Sequence, residues 1–83
     1  MSKSLYSERH KRLAAAIAEQ RRHKGMTQAD VAAAMSSTRY QSFIAKIESG
    51  ERRVDLVELL RLADIIDLDI EALVHELREI PDE

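Results

Sequence analysis

The chain has no cysteine, one proline and two glycines among its 83 residues. Without cysteine there is no disulfide framework, no thiol nucleophile and no cysteine-based zinc site. The scarcity of glycine and proline argues against a loop-rich or all-β fold. A chain this small without covalent staples needs helical packing or a partner chain. No apolar run approaches the roughly 18 residues of a membrane span, and the N-terminus lacks a signal-peptide core.

The composition is that of a globular domain, with 45% hydrophobic and 34% charged residues. Because a domain usually needs on the order of 100 residues, we expect a single domain over residues 1–83 and no second catalytic or sensor domain. Its core is expected over about residues 10–74.

The net charge of −2 hides a strong asymmetry between the two halves of the chain. Residues 1–53 carry eleven lysines and arginines against five acids, a net +6, whereas residues 54–83 carry two arginines against ten acids, a net −8. A basic half is typical of proteins with a polyanion partner, most often nucleic acid. On charge alone, two ordinary solvated surfaces of opposite sign explain the pattern equally well.

Caps and apolar periodicity predict five helices and no strand, an all-α fold. The first runs from about Leu5 to Lys24, with Gly25 as its C-cap. The others begin at the capping residues Thr27, Thr38, Asp55 and Asp69, and end near Met35, Ser49, Ile66 and Ile80. Side chains on one face of each helix form the expected core, namely Leu13, Ala14, Ile17, Ala18, Val31, Ala32, Met35, Phe43, Ile44 and Ile47. The fourth helix carries Leu56, Leu59, Leu60, Leu62 and Ala63.

The most informative stretch covers residues 25–53, where two short helices flank a polar turn and basic residues surround them. This is the layout of a helix-turn-helix. The outer face of its second helix carries Gln41, Ser42, Ala45, Lys46 and Ser49. Glutamine can bond an adenine edge, lysine a guanine acceptor, and serine either base.

This stretch resembles the Xre family, the lambda-repressor-like helix-turn-helix regulators of the Cro and cI type. The matching residues are Arg21, 25–28, 31–32, 41–44, 46–48, 50–53, Leu59, Ala63 and Leu68, so that the resemblance covers roughly residues 13–74. It implies a compact five-helix domain and sequence-specific binding of double-stranded DNA. It also implies a homodimer on a palindromic operator.

The resemblance also implies roles for individual residues. Gln28 contacts phosphate, Gln41, Ser42 and Lys46 read bases, and Arg52 and Arg53 contact the DNA backbone. Arg21 and Glu48 form a buried pair between the first and third helices. The residues themselves favour such a pair, because Glu48 interrupts an apolar helix face and needs a cation if it is buried.

The sequence departs from the family pattern at two points. The turn over residues 35–40 has about two extra residues and no glycine, which adds Thr38, Arg39 and Tyr40 to the candidate DNA contacts. Tyr40 is either a ring at the edge of the core or a hydroxyl donor to phosphate. Asp67 replaces the glycine common after the fourth helix, and aspartate tolerates left-handed backbone geometry better than most residues.

The fifth helix carries an apolar stripe at Ile70, Leu73, Val74, Leu77 and Ile80, which we interpret as a homodimer seam because an exposed apolar strip usually marks an interface. The alternative is that the stripe folds back on the first helix near Leu5 and Tyr6. The basic residues near the N-terminus form either a DNA-facing arm or a solvated face, namely Lys3, Arg9, Lys11 and Arg12. Likewise, Arg52 and Arg53 either contact the DNA backbone or are simply solvated.

No residue pattern points to catalysis, a metal site or a cofactor: the three histidines lack ligand spacing, and no phosphate loop or nucleophile elbow is present. We therefore expect a transcriptional regulator, a repressor rather than an enzyme. It would be cytoplasmic and nucleoid-associated, encoded by a bacterium or phage, with neither a small-molecule substrate nor a membrane partner. The alternative is an antitoxin-like module that binds a partner protein and regulates its own operon.

Overall fold

The computed structural model describes residues 7–36 and 40–81. These residues form five α-helices and no strand, which confirms the predicted all-α class. The helices are α1 (Glu8–His23), α2 (Gln28–Ala34), α3 (Tyr40–Ser49), α4 (Leu56–Ile66) and α5 (Ile70–Arg78). Within this part of the chain, no helix has the length and apolar character needed to cross a bilayer.

Helix α1 begins at Glu8, so the predicted start at Leu5 was wrong. Ser7 has an extended backbone and caps the helix, its side chain accepting a hydrogen bond from the His10 amide. At the other end, Gly25 has a φ of 77°. The Gly25 amide donates to Arg22 O at 2.9 Å and the Met26 amide to Arg21 O at 3.1 Å, the pairing that closes a helix in a Schellman motif.

Three predicted caps are confirmed. Thr27 and Asp55 each form a reciprocal capping box, with Asp30 and Glu58 respectively, and the Asp69 side chain accepts from the Ala72 amide at 3.0 Å. The predicted cap Thr38 lies outside the described residues. These bonds satisfy orphan amides at the helix starts, so local sequence alone sets these boundaries.

The core lies between α1, α2, α3 and α4. Its most buried side chains are Ile17, Val31, Ala32, Met35, Ile44, Ile47, Leu62 and Ile66. Leu59 and Ala63 complete the buried face of α4. Leu56 and Leu60, which the sequence grouped with these residues, are 66% and 46% exposed and lie outside the core.

Two residues other than glycine adopt positive φ at helix ends, Ser36 (76°) and Asp67 (57°). Ser36 follows the C-cap of α2 and bonds to Ala33 O, so it occupies the kind of position that glycine favours. Asp67 is the left-handed C-cap of α4, as its replacement of glycine predicted.

Helix α5 packs against α1. Leu73 is buried there, and Arg12 Nε donates to Glu76 Oε2 at 2.5 Å. Arg9 Nε donates to Ile80 O at 2.8 Å, just beyond the end of α5. The last helix is therefore held to the first by one buried apolar side chain and by hydrogen bonds along its edge.

Candidate nucleic-acid interface

Helix α3 has the two faces that a recognition helix needs. Ile44 and Ile47 are buried in the core, 1% and 2% exposed, and fix the helix against the rest of the domain. On the opposite face Gln41, Ser42, Lys46 and Ser49 are exposed, with Ala45 half-buried among them. Gln41, Ser42 and Lys46 can therefore meet a groove without disturbing the core.

A buried ion pair joins α1 to α3. Arg21 Nε donates to Glu48 Oε2 at 2.6 Å and Arg21 Nη2 to Glu48 Oε1 at 2.9 Å. A third guanidinium nitrogen, Nη1, donates to Met26 O at 2.8 Å. The two-pronged geometry is the strong form of an arginine–carboxylate contact. It anchors the end of α3 to the segment that leads into α2.

Gln28 joins the same network from the first position of α2. Its Nε2 donates to Glu48 Oε1 at 3.0 Å, and the residue is half-buried. One of its two amide hydrogens is thus used inside the protein, which leaves the second for the phosphate contact that the resemblance implies.

This network also sets the protonation of Glu48. Burial by itself raises the pKa of the Glu48 carboxyl, but the hydrogen bonds from Arg21 and Gln28 outweigh it and hold the pKa below its ordinary value. The Arg21 pKa is raised, chiefly by the hydrogen bond to Glu48. Both groups are therefore charged near neutral pH.

Arg52 lies beside α3 but is already engaged by the protein. Its guanidinium carbon lies 4.6 Å from the centre of the Phe43 ring, and its Nη2 is 3.5 Å from Glu58 Oε2. Its Nη1 donates to Arg53 O at 2.9 Å. These contacts hold the Arg52 cation at one wall of a cleft, which is lined by Tyr40, Ser42, Phe43, Lys46, Arg52 and Glu58.

Tyr40 is the first residue of α3 and is half-buried. Its ring meets the Phe43 ring edge to face, with centroids 5.9 Å apart. The guanidinium carbon of Arg61, on α4, lies 5.7 Å from the centre of the Tyr40 ring. The structure therefore places the Tyr40 ring at the edge of the core, although the residue still lines the cleft.

The remaining candidates are DNA contacts and residues of the predicted dimer seam. Among the DNA contacts, Thr38 and Arg39 lie outside the described residues, and Arg53 is exposed in the segment after α3. On α5, Leu73 is buried within the single chain, Ile70 and Leu77 are half-buried, and Val74 is 41% exposed. The helix ends at Arg78, so the predicted end near Ile80 was wrong, and the half-buried Ile80 lies just beyond it. Among residues 7–36 and 40–81, no three histidine or acidic side chains come together to hold a metal ion.

Two residues with structural roles were not predicted from the sequence. Arg61 was not singled out, because an arginine on an amphipathic helix looks like any solvated residue. Ser7 was missed as a cap, although serine before an acidic first turn is a helix-start signal that could have identified it.

Comparison with known proteins agrees with this geometry. The family model described as "Helix-turn-helix domain" matches residues 12–77, a range that contains all of α2, α3 and α4. No curated protein and no solved structure matches the chain.

Proposed function

Because this chain belongs to the helix-turn-helix domain family, we propose that it is a sequence-specific DNA-binding transcriptional regulator of the Xre type. In this proposal α3 enters the major groove. Gln41, Ser42 and Lys46 read base edges, and arginines beside the helix contact phosphates.

The observation that carries the proposal is the division of α3 between a buried face and an exposed polar face. Ile44 and Ile47 are held in the core, and Glu48 is tied to Arg21. Gln41, Ser42 and Lys46 are left exposed on a rigid helix. A rigid helix that presents amide, hydroxyl and ammonium groups outward suits the hydrogen-bond pattern of a major groove.

We further propose that the protein acts as a homodimer on a palindromic operator and as a repressor. A two-fold dimer would place two copies of α3 about 34 Å apart, one turn of DNA. Val74, 41% exposed, supports α5 as part of the seam, together with the half-buried Leu77 and Ile80. Leu73 contributes less to such a seam because it is already buried in one chain.

The test begins with selection of duplexes from a random library by the purified protein. Binding to the selected duplex is then compared with binding to a scrambled duplex across a salt series. We expect the scrambled duplex to bind at least about 10³-fold more weakly. Lys46→Ala and Gln41→Ala should each lower that ratio by about ten- to a hundredfold, since one good base contact contributes about 1–3 kcal/mol.

The matched control is Lys24→Ala, which removes one positive charge after the end of α1, where Lys24 pairs with the exposed Asp67 away from α3 and from the proposed seam. It should leave the ratio near that of the wild type. Equal, weak and steeply salt-dependent binding to both duplexes would refute sequence-specific recognition. That result would favour the alternative of a protein-interaction module. In a second measurement, light scattering at tens of micromolar protein should detect a dimer. A strict monomer, both with and without DNA, would refute the proposed homodimer.

A further inference from the structure

Two arginines enclose a pair of aromatic rings on one side of the recognition helix. Arg52 lies over Phe43 at 4.6 Å, Phe43 meets Tyr40 at 5.9 Å, and Arg61 lies over Tyr40 at 5.7 Å. The four side chains form a continuous row that links the segment after α3, the first turn of α3 and the middle of α4.

Arg61 also bonds to the backbone at the end of α2. Its Nη2 donates to Met35 O at 2.9 Å. Met35 is the C-cap of α2, and Tyr40 is the first residue of α3. One side chain from α4 thus holds both the end of α2 and the beginning of α3.

This double contact suits Arg61 to control the position of α3. A guanidinium is planar, so it can donate from its edge while its face lies against a ring. The carbonyls at a helix C-terminus carry partial negative charge, which favours a cation there. Base readout needs side chains held to within about half an ångström, and Gln41 and Ser42 directly follow Tyr40.

We propose that Arg61 is a positioning residue for DNA recognition, which sets the start of α3 relative to α2 without touching DNA. The inference rests on the proposed function. It assigns sequence discrimination in part to a residue outside the helix-turn-helix itself. Loss of Arg61 should weaken binding to the selected duplex and leave binding to scrambled DNA unchanged.

The experiment compares Arg61→Met, Arg61→Lys and the charge-matched control Lys24→Met, each first checked for wild-type helicity. Methionine keeps an apolar stem but loses both contacts. Lysine keeps the charge and one donor but loses the planar face. We expect Arg61→Met to lower the specificity ratio about tenfold, which is less than the full effect of one charged hydrogen bond and one exposed cation–π contact, because these contacts position the base-reading residues and do not touch DNA. Arg61→Lys should fall between that variant and the wild type, and Lys24→Met should match the wild type.

Two further readouts separate positioning from direct contact. A residue that touches phosphate would lower affinity for both duplexes and reduce the salt slope by about 0.9, and that result would overturn the proposal. Amide hydrogen exchange without DNA should be faster at residues 44–47 in Arg61→Met, because their amides donate to the carbonyls of the first turn of α3, with residues on α5 unchanged. Unchanged exchange at residues 44–47, or an unchanged specificity ratio, would also overturn it.

The specificity ratio of the wild type tests the proposed function independently of the Arg61 variants. A wild-type chain that does not discriminate between duplexes refutes specific recognition, and with it the role of Arg61 in discrimination. A wild type that discriminates, combined with an Arg61→Met variant that discriminates equally well, refutes the inference alone.

Discussion

Two short ion pairs with arginine allow a direct test of what burial does to an ion pair. Arg21 Nε lies 2.6 Å from Glu48 Oε2, and Arg12 Nε lies 2.5 Å from Glu76 Oε2. The side chains of the first pair are 10% and 5% exposed, whereas those of the second are 32% and 49% exposed. The shortest contacts are therefore similar in length and the solvation differs, although Arg12 also bonds to Glu19 and its second contact with Glu76 is 3.5 Å long.

We expect Arg21→Met to destabilise the fold by about 3–5 kcal/mol, because it leaves a buried carboxylate without its cation. Arg12→Met should cost at most about 1 kcal/mol, because water screens the exposed pair. In a domain of this size 1 kcal/mol corresponds to about 4–8 °C in Tm. The expected losses are therefore about 12–40 °C for the first variant and less than about 8 °C for the second.

Thermal and urea denaturation followed by circular dichroism measure both variants. A protein of this length has a free energy of unfolding of about 4–12 kcal/mol. At the lower end of that range, the loss expected for Arg21→Met is enough to unfold the variant at room temperature. The double variant Arg21→Met/Glu48→Met keeps the test informative, because replacing both partners by apolar groups is often neutral. It should be more stable than Arg21→Met alone. Equal losses of stability in Arg21→Met and Arg12→Met would contradict the expected effect of burial. A double variant no more stable than Arg21→Met would contradict it as well.

Two other predictions concern the same ion pair and the turn after α2. Because the folded pKa of Glu48 is below its ordinary value, the pair's contribution is complete above the unfolded pKa of about 4.3 and is lost as pH falls through the folded pKa. As the pH is lowered below that value, the free energy of unfolding should therefore fall less steeply in Glu48→Gln than in the wild type. Equal slopes in the two proteins would contradict this. Ser36, at a φ of 76°, should tolerate glycine, whereas Ser36→Val should be about 1–3 kcal/mol less stable than Ser36→Gly in urea denaturation. Equal stability of the two variants would show that the strain is absent.

Much of the fold could be predicted because its signals are local. A capping box such as Thr27 with Asp30 involves residues three apart, and an apolar stripe repeats within one or two helical turns. These signals correctly predicted the starts of α2, α4 and α5 and the burial of Ile44 and Ile47 on α3, whereas Phe43, predicted on the same face, is half-buried. The exposed face of α3, which carries Gln41 and Lys46, follows from the same periodicity.

Local signals were insufficient where a side chain had several possible partners. Leu56 and Leu60 have the same residue type as the buried Leu59 and Leu62, and only the docking angle of α4 determines which of them meet the core. Tyr40 had two interpretations in the sequence, and its ring packs at the edge of the core, with Arg61 of another helix beside it.

Local sequence therefore sets the starts of α2, α4 and α5, the all-α class, the basic character of residues 1–53 and the outward-facing polar residues of α3. Apart from Arg21 and Glu48, whose pairing the family resemblance implied, the packing of the helices decides which partners the charged side chains meet. Arg12 and Glu76 are 64 positions apart, and Arg61 and its acceptor Met35 O are 26 apart. The reason is physical: caps and periodicity act within a few residues of the chain, whereas a long charged side chain takes whichever partner the packing of whole helices brings within reach.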